Sequence, residues 1–359
     1  MPANSKYRIG VIGASGYTGG DLVRLAACHP NIDIAMLAGN IHAGQPLGDV
    51  FPHLGLIDAP DLIAVDEANW SDLDAVFCGL PHGAAHEVIA SLPRELRVID
   101  MSADFRLRDP DVYASWYGGG HGASELLQTA VYGLSEHYAT EISKARLVAC
   151  PGCYPTACLL ALLPLAAGKL IDVQDIVIDA KSGVSGAGRG LKQNTLFSEA
   201  GEGLSPYAVA SHRHAPEIEQ EISRVSGEEI IVNFTPHLVP MSRGELVTCY
   251  VRLAEGASPE DLRAALVAQY EGAAFVRIAP QGHTPATQHV RGSNYCVIGV
   301  FADRVPGRAI VVSTLDNLVK GSSGQALQNF NLMFGEPETT GLEQLPLFPM
   351  SRALTPSCS

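Results

Sequence analysis

The segment 10-GVIGASGYTG-19 joins an apolar, strand-like stretch, Arg8–Ile12, to a helix-like stretch, Thr18–Cys28, and it decides the fold. Gly13 and Gly16 allow the backbone to turn tightly and to approach a pyrophosphate, whose charge the amides of the helix N-terminus can meet. The spacing is G-x-x-G-x-x-G rather than the commoner G-x-G-x-x-G. Its place between a strand and a helix favours a dinucleotide-binding βαβ unit over a structural turn.

Strand-like and helix-like segments alternate through the first 150 residues. Further strands are predicted at Ile32–Ala38, Ala75–Cys78 and Arg97–Met101, with a helix at Gly83–Leu92. Such alternation is typical of an α/β fold with a Rossmann-type, doubly wound parallel sheet.

The pattern changes after about residue 152. Helices are predicted at Pro155–Gly168 and Ser258–Tyr270, and partly alternating strands at Asp175–Ala180, Glu229–Pro236, Glu245–Leu253 and Ser293–Ala302. This pattern indicates an α+β domain on a mixed sheet. A last helix, about Gly324–Phe334, is expected to pack on the first domain. The predicted domains are therefore residues 1–152 with 318–359, and residues 153–317.

The composition excludes several classes of protein. The chain has 359 residues, of which 47% are hydrophobic and 17% charged, with a formal net charge of −14. This is globular composition at a length that usually contains more than one domain. An acidic chain is a poor candidate for binding nucleic acid or an anionic membrane surface. The longest strongly apolar stretch, Ala157–Ala167, is about half of the roughly 20 residues that a membrane helix needs.

Cysteine usage indicates a reducing compartment. Most of the eight cysteines lie within apolar runs, which suits buried free thiols, and the polar start Met1–Arg8 does not resemble a secretory signal. A cytoplasmic protein is therefore expected. The cysteines are Cys28, Cys78, Cys150, Cys153, Cys158, Cys249, Cys296 and Cys358.

The end of the second strand bears on the choice of dinucleotide. It reads Leu37-Ala38-Gly39-Asn40, without the carboxylate that NAD enzymes usually place there to bind the ribose 2′-hydroxyl. The missing acid favours NADP over NAD, although an arginine for a 2′-phosphate is also missing. NADP(H) is the predicted cofactor.

A candidate nucleophile lies in Cys150-Pro-Gly-Cys153-Tyr-Pro-Thr156. Pro155 marks the start of a helix, which places Cys153 at or just before its N-terminus, where the helix dipole and free amides stabilise a thiolate. The alternative is a Cys-x-x-Cys metal half-site or a disulfide, but the chain has no second such pair, and no metal is predicted. Cys150, at the end of an apolar strand, is assigned to the core.

Two further clusters contain chemically active residues. His212-Arg213-His214 lies just ahead of a predicted helix, Pro216–Arg224, where an imidazole stays nearer neutral and can exchange protons. An exposed helix cap is the alternative. Lys181-Ser-Gly-Val-Ser185-Gly-Ala-Gly-Arg189 follows a predicted strand directly. Its amides, hydroxyls and cations would form an anion-binding nest, and a flexible surface loop is the alternative.

Seven motifs in order resemble the N-acetyl-γ-glutamyl-phosphate reductase family of the longer type, over nearly the whole chain. PGCYPT and HRH-x-PEI are the most specific of them. The motifs are GASGYTG (Gly13–Gly19), GLPHG (Gly79–Gly83), SADFR (Ser102–Arg106), PGCYPT (Pro151–Thr156), KSGVSGAGR (Lys181–Arg189), HRHAPEI (His212–Ile218) and DNLVKGSSGQALQN (Asp316–Asn329).

The resemblance implies NADPH-dependent reduction of N-acetyl-γ-glutamyl phosphate to N-acetylglutamate 5-semialdehyde, with release of phosphate, in arginine biosynthesis. It implies a Cys153 thioester, His214 as acid/base, and homo-oligomers, here a homodimer or homotetramer, formed through residues 153–317. The residues expected to bind the cofactor are Gly10, Gly13, Ala14, Ser15, Gly16, Tyr17, Thr18, Gly19, Asn40, Pro81, His82, Ser102 and Asn317. Those expected to bind the substrate are Arg106, Lys181, Ser182, Gly183, Ser185, Arg189 and Arg213.

Other functions remain open on the sequence. One is a sibling acyl-phosphate reductase. Aspartate-semialdehyde dehydrogenase usually has a different cysteine context, whereas the aminoadipyl-phosphate reductase of carrier-linked lysine biosynthesis shares the motifs but acts on an acidic carrier protein. A Cys–His hydrolase on a Rossmann-like scaffold would not need the glycine loop. A non-catalytic, NADP-sensing regulator would not need a cysteine at a helix start.

Overall fold

The computed structural model describes residues 6–347. Its first strand is β1 (Tyr7–Ile12), whose last four residues are buried. Internal contacts divide the chain into two units. Unit 1 is Met1–Gly152 with Ser322–Glu343, and unit 2 is Cys153–Gly321 with Gln344–Ser359.

Residues 318–321 and 344–347 group with unit 2, whereas the predicted division placed 318–359 with residues 1–152. Residues 348–359 lie outside the described part of the chain. The carboxylate of Asp316 accepts hydrogen bonds from the amides of Leu318 and Val319, at 2.9 and 3.2 Å. The amide of Leu347 donates to the carbonyl of Arg291 at 2.8 Å. These bonds hold both segments to unit 2. Cys358 lies outside the described residues.

Unit 1 continues from β1 with short strands and helices in alternation. In chain order they are α1 (Tyr17–Ala26), β2 (Ile32–Ala38), α2 (Leu47–Val50), β3 (Leu62–Ile63), β4 (Ala75–Cys78), α3 (Ala85–Ser91), β5 (Arg97–Asp100), α4 (Pro110–Tyr117), α5 (Ser124–Leu127), β6 (Val131–Tyr132), α6 (Ser135–Ile142) and β7 (Leu147–Ala149). The strands pair in parallel, in the order β3-β2-β1-β4-β5-β7-β6. Strand order reverses between β1 and β4, which is where doubly wound sheets bind ligands.

This sheet confirms the predicted Rossmann-type fold, and the strands at Ile32–Ala38 and Ala75–Cys78 have their predicted bounds. The helix predicted at Gly83–Leu92 is shorter, because the carboxylate of Asp104 accepts hydrogen bonds from three amides at its start, those of Gly83, Ala85 and His86. Together these bonds fix where α3 begins.

Unit 2 is built on a mixed sheet, also as predicted. Its elements are α7 (Cys153–Ala167), β8 (Ile171–Gly183), α8 (Phe197–Ala200), β9 (Ser205–Pro206), α9 (Ala215–Ser226), β10 (Asn233–Val239), β11 (Glu245–Leu253), α10 (Pro259–Gln269), β12 (Val276–Ile278), β13 (Cys296–Ala302) and β14 (Arg308–Leu315). Their strand order is β12-β13-β14-β11-β8-β10-β9. Pairs β10–β8 and β12–β13 are parallel, and the others are antiparallel.

Helix α7 is apolar on all sides and forms the centre of unit 2. Every residue from Tyr154 to Ala166 is buried, as expected of a helix without a polar face, and the helix packs against β11, α9 and α10. Among residues 6–347, no helix has the length and apolarity needed to cross a membrane.

Strand β8 runs three residues further than predicted. Its last residues pair on both sides, with His237 of β10 opposite Lys181 and Glu245 of β11 opposite Ser182. Lys181, Ser182 and Gly183 therefore lie in a strand rather than in a loop. The sequence analysis also missed β14, which lies in the sheet between β11 and β13.

The last helix, α11 (Gly324–Phe334), has its predicted bounds and groups with unit 1. It packs against α1 and α6. Phe330 is fully buried, with its ring 5.7 Å from that of Phe77 on β4. Asn329 donates a hydrogen bond to the carbonyl of Gly133 at 2.8 Å.

Candidate active site

The glycine loop after β1 is shaped for close backbone approach. Gly13 has φ +80°, and a Cβ there would lie 2.5 Å from the carbonyl oxygen of Gly79, the residue after β4. Gly16 caps α1 in an extended conformation, without a side-chain cap and without an acidic residue in the first turn. The start of α1 therefore offers its amides and positive dipole end to an anion, and the loop fits a dinucleotide pyrophosphate.

The other residues of this motif that are predicted to bind the cofactor differ in their solvent exposure. Tyr17 is exposed, Ser15 and Thr18 are half-buried, and Gly19 is buried. Ala14 is buried, and its amide donates to the carbonyl of Ala38 at 3.1 Å. Gly10 lies inside β1, where a Cβ would meet the Met36 side chain at 2.7 Å. The structure thus gives Gly10 a packing role within the strand.

Asn40 follows β2 in a short exposed turn, Asn40–His42. Its Oδ1 accepts a hydrogen bond from the amide of Val65 at 2.9 Å. The turn contains neither a carboxylate for a ribose 2′-hydroxyl nor a guanidinium for a 2′-phosphate. Contact of Asn40 with the cofactor stays a prediction.

The two loops after β4 and β5 are held by a carboxylate network. The Ser102 hydroxyl donates to Asp100 at 2.8 Å and accepts from the amide of Asp104 at 3.2 Å. Burial raises the pKa of Asp100 to about 7, although its hydrogen bonds from Ser102 lower it. Pro81 and His82 are exposed ahead of α3. Ser102 therefore stabilises the loop, Pro81 and His82 are exposed, and contact of these three residues with the cofactor stays a prediction.

Arg106 is buried in unit 1, which differs from what is expected of a substrate cation. Its Nε donates to the carbonyl of Cys150 at 2.8 Å, and an Nη donates to the carbonyl of Met101 at 3.2 Å. These bonds fix the backbone just ahead of Pro151 and Gly152. The predicted role of Arg106 in binding substrate stays a prediction.

Cys153 is the first residue of α7, so the helix starts two residues earlier than Pro155 suggested. The thiol is half-buried, and it lies where the helix dipole stabilises a thiolate. Cys150 is different, because full burial raises the pKa of its thiol to about 12. All seven described cysteines are free, and residues 6–347 contain no cluster suited to a metal ion. Cys150 is therefore a core residue, as predicted, and no disulfide joins it to Cys153.

Gly321 and Glu245 also lie at Cys153, and the sequence analysis did not single out either. A Cβ at Gly321 would lie 2.7 Å from the Cβ of Cys153, so glycine is required for this approach. Glu245 is fully buried, and burial raises its pKa to about 8, against a hydrogen-bonding interaction with the Cys153 thiol that lowers it. The sequence does not indicate that Glu245 is buried, because an acidic residue at the start of a strand is usually solvated.

His214 lies in an aromatic cluster that contains the neighbour of Cys153. Its ring is 5.8 Å from Tyr154 and 4.7 Å from His212, and its amide donates to Nδ1 of His212 at 3.1 Å. Burial, with a smaller contribution from Arg213, lowers the pKa of His212 to about 4. The hydroxyl of Tyr207 donates to that of Tyr154 at 3.3 Å. The cluster holds His214 at the N-terminus of α9, as the sequence predicted.

The Lys181–Arg189 segment divides into a strand end and a turn. The ammonium group of Lys181 is paired with Asp179, whose other oxygen lies 3.3 Å from Nδ1 of His237. Ser182 and Gly183 are buried, whereas Arg189, like Arg213, is exposed. Ser185 accepts a hydrogen bond from Asn317. The cations lie in unit 2, and their contact with a substrate anion stays a prediction.

Both halves of the chain match family models. "Semialdehyde dehydrogenase, NAD binding domain" matches residues 8–145, and "Semialdehyde dehydrogenase, dimerisation domain" matches residues 153–317.

Curated relatives match the chain over nearly its full length. The probable chloroplastic N-acetyl-gamma-glutamyl-phosphate reductase of Oryza sativa subsp. japonica is 53% identical over 349 residues, covering 97% of this chain and 84% of the relative. Its counterpart in Arabidopsis thaliana is 54% identical, with 95% and 85% coverage. The N-acetyl-gamma-glutamyl-phosphate reductase of Rhodospirillum rubrum is 53% identical, with 96% and 100% coverage.

Solved structures share the fold at low identity. Aspartate semialdehyde dehydrogenase II from Vibrio cholerae has a TM-score of 0.70 at 16% identity, covering 92% of this chain and 99% of that one. Aspartate semialdehyde dehydrogenase with NADP from Candida albicans has a TM-score of 0.65 at 18% identity, with the same coverage.

Proposed function

This chain belongs to the semialdehyde dehydrogenase family, and on that premise we propose that it is an N-acetyl-γ-glutamyl-phosphate reductase. The enzyme reduces N-acetyl-γ-glutamyl phosphate to N-acetylglutamate 5-semialdehyde, releases phosphate and serves arginine biosynthesis. The observation that carries this proposal is the half-buried Cys153 thiol at the start of α7. Relatives of that name, more than half identical over nearly the whole chain, support it.

The predicted cofactor is NADP(H). The loop around Gly13 and the amides at the start of α1 would hold its pyrophosphate, since the backbone there is bare and the helix dipole favours an anion. When bound, NADPH supplies the hydride that reduces the enzyme-bound acyl group.

Cys153 carries the covalent step. Its thiolate attacks the acyl carbon of the substrate, a C–S bond forms, and the bond from carbon to the phosphate oxygen breaks, which leaves a thioester on the protein and frees phosphate. The dipole of α7 stabilises the thiolate, and the amides at the start of the helix are suited to the oxyanion that develops when the thioester is reduced.

His214 moves the proton. It accepts the proton of the Cys153 thiol and gives it to the oxyanion, which forms a thiohemiacetal. When the C–S bond breaks, the hydroxyl proton returns to His214, the aldehyde leaves and the Cys153 thiolate is restored. Its fixed position beside Tyr154 supports this role, because an acid/base group must be held near the reacting atoms.

The substrate carries a phosphate and a carboxylate, and three cations of unit 2 are proposed to bind these groups. Arg189 and Arg213 are exposed and can form two parallel hydrogen bonds to either anion. Lys181 lies at the end of β8, where Asp179 fixes its side chain. Loss of the Arg189 or Arg213 charge is expected to raise KM more than it lowers kcat.

The function is tested by coenzyme reduction with N-acetylglutamate 5-semialdehyde and phosphate, comparing NADP with NAD. NADP is expected to be reduced, and aspartate semialdehyde is expected to react at least about 100-fold more slowly, because it lacks the acetyl group and is shorter. Absence of reduction with both cofactors would overturn the function. Near wild-type activity of Cys153→Ser would exclude the thioester.

We also propose a homodimer or homotetramer in a reducing compartment, the cytoplasm being the predicted one. Large apolar side chains are exposed in one segment of unit 2, among them Leu191, Phe197 and Leu204, and an exposed apolar patch commonly marks an interface. The free thiols support the compartment. Size-exclusion chromatography with light scattering should give twice or four times the chain mass, and a monomer would contradict the assembly.

A further inference from the structure

Tyr207 contacts residues beside both the nucleophile and the acid/base histidine, and the mechanism above leaves it unused. Its hydroxyl donates to that of Tyr154 at 3.3 Å, and the Tyr154 hydroxyl donates in turn to the carbonyl of His237 on β10, also at 3.3 Å. Tyr154 directly follows Cys153 and is 1% exposed. The hydroxyl of Tyr207 therefore connects the segment after β9 with the first turn of α7.

The ring of Tyr207 packs on His212, which holds the backbone ahead of α9. The ring centroids of Tyr207 and His212 are 5.3 Å apart, and those of His212 and His214 are 4.7 Å apart. Nδ1 of His212 accepts a hydrogen bond from the amide of His214 at 3.1 Å. A neutral imidazole that accepts at Nδ1 has its proton on Nε2. The contact with His212 thus orients the backbone of His214.

The surroundings of His212 keep its imidazole neutral. Phe234 contributes a further ring contact, at 5.4 Å. The titratable and charged groups around His212 among the described residues are Tyr154, Tyr207, Arg213 and His214. Burial raises the pKa of both tyrosines, so neither supplies a negative charge. Burial, followed by the positive charge of Arg213, lowers the pKa of His212 to about 4.

The backbone between Tyr207 and His212 is strained. Ala208 has φ +44° and Ala210 has φ +54°, in the left-handed region that is unfavourable for a residue with a Cβ. Both alanines are exposed, so packing of their own side chains does not compensate for this cost. Such strain persists only where surrounding contacts impose it. Those contacts lie at the two ends of the segment, where the Tyr207 amide also donates to the carbonyl of Pro236 at 3.1 Å.

We propose that Tyr207 is a positioning residue for His214: its ring and hydroxyl hold the strained segment 207–212 and so fix the imidazole of His214 near the first turn of α7. This inference rests on the proposed role of His214, which accepts the proton of the Cys153 thiol. Tyr207 acts through His212 and transfers no proton. Without the Tyr207 side chain, relief of the strain favours movement of the segment, and His212 and the amide of His214 move with it.

The test measures the pKa of the Cys153 thiol in the full-length chain. The readout is the pH profile of Cys153 alkylation by iodoacetamide, followed by peptide mass spectrometry, and it needs neither substrate nor cofactor. The midpoint of the profile reports formation of the thiolate, whereas the plateau reports access of the reagent, so the two effects are separated. Tyr207→Ala removes the ring and the hydroxyl, and Tyr207→Phe removes only the hydroxyl.

Tyr270→Phe is the matched control. The hydroxyl of Tyr270 also donates to α7, to the carbonyl of Leu160 at 2.6 Å. Leu160 lies about two helical turns beyond Cys153, roughly 10 Å along the axis. The control therefore loses a tyrosine hydroxyl bond to the same helix, away from the reacting groups. Its thermal unfolding midpoint is expected to fall, while its alkylation midpoint should equal that of the wild type.

Tyr207→Ala is expected to raise the alkylation midpoint by about one pH unit, a tenfold loss of thiolate at neutral pH, because a displaced His214 no longer takes the thiol proton. Tyr207→Phe should raise it by less than half as much, since its ring still contacts His212. His214→Asn should raise the midpoint at least as much as Tyr207→Ala. The double variant should match His214→Asn within about 0.3 unit, because a residue that acts through another adds nothing once that residue is gone.

Nitrogen NMR of the histidine rings tests the contact even where Tyr207→Ala fails to fold. In the wild type, the His212 ring should be neutral at pH 6 and should have its proton on Nε2. Loss of the signal in His212→Gln assigns it. A His212 ring that is protonated at pH 6, or that has its proton on Nδ1, would overturn the proposal.

A wild-type alkylation midpoint in Tyr207→Ala or in His214→Asn would also overturn it. So would effects that add in the double variant, since Tyr207 would then act on Cys153 without His214. A shift in Tyr270→Phe as large as that in Tyr207→Ala would assign the effect to lost stability and would overturn the positioning role. A failed substrate assay contradicts the proposed function instead, while the alkylation profiles still decide the role of Tyr207.

Discussion

Asn317 donates a hydrogen bond from Nδ2 to the hydroxyl oxygen of Ser185 at 2.9 Å, and so links the segment after β14 to the turn after β8. Its Oδ1 also accepts from the amide of Gly244 at 2.8 Å. One buried amide thus joins the ends of three neighbouring strands. A residue expected to bind the cofactor therefore also organises unit 2.

Asn317→Ala should lower the free energy of unfolding by about 1–3 kcal/mol, because it leaves the buried Gly244 amide without its acceptor. Equilibrium urea unfolding measures this loss. Ser185→Ala removes only the other bond and should cost less, since the Gly244 pairing survives. An equal loss of unfolding free energy in the two variants would show that the hydrogen bond from Gly244 does not contribute to stability.

Gly321→Ala should displace the nucleophile. The new Cβ would lie 2.7 Å from that of Cys153, which is too close for two carbon atoms. Small misplacements of reacting groups are costly, so kcat is expected to fall by about tenfold or more. Gly190→Ala is the control, because no atom lies within 4 Å of its added Cβ. Steady-state kinetics of both variants decide the matter, and unchanged kcat in Gly321→Ala would contradict the prediction.

Gly13→Ala should weaken NADP(H) binding by about tenfold or more. The residue has φ +80°, and its Cβ would lie 2.5 Å from the Gly79 carbonyl oxygen, so the loop must open. Titration followed by cofactor fluorescence gives the dissociation constant. Gly120→Ala, in the same unit with open space around its Cβ, should bind as wild type does. Tight binding by Gly13→Ala would remove this loop from the cofactor site.

Asp100→Asn should change how stability depends on pH. The folded-state pKa of Asp100 is raised by burial to about 7, whereas an unfolded aspartate has a pKa of about 3.9. Between these values the folded chain holds a proton that the unfolded chain releases, so Asp100 makes stability fall as the pH rises, by at most about 1.4 kcal/mol per unit. The asparagine variant should lack this contribution.

The measured quantity is the difference in the pH dependence of stability between wild type and Asp100→Asn. This difference is needed because another group makes stability rise, rather than fall, with increasing pH. The pKa of His212 is lowered by burial to about 4, and its contribution to stability is lost as the pH falls. Both proteins contain His212, so it cancels. Unfolding curves with the same pH dependence for wild type and Asp100→Asn would contradict the assigned state of Asp100.

The sequence predicted those features that local patterns determine. A strand, a glycine turn and a helix lie next to one another in the chain, so the Rossmann unit and the location of Cys153 at a helix start were both accessible. His214 was accessible for the same reason, since it directly precedes a helix that contains proline in its first turn.

The features that the sequence analysis did not predict depend on contacts between segments that are far apart in the chain. Ser182 and Glu245 are 63 positions apart, yet they are opposite each other in the sheet, and this pairing converts a predicted loop into strand β8. The burial of Glu245 depends on α7 covering the same sheet. The bonds of Arg106 to the carbonyls of Cys150 and Met101 likewise follow from loop packing, which sequence spacing does not reveal, and its role in binding substrate stays a prediction.

Helix α11 has a consequence for the order in which the protein matures. Its Phe330 and Asn329 complete unit 1, yet they are synthesised some 180 residues after β7, when all strands of unit 2 already exist. A nascent chain that ends at residue 152 therefore lacks part of its own core. Unit 1 can therefore complete its core only after every strand of unit 2 has been synthesised.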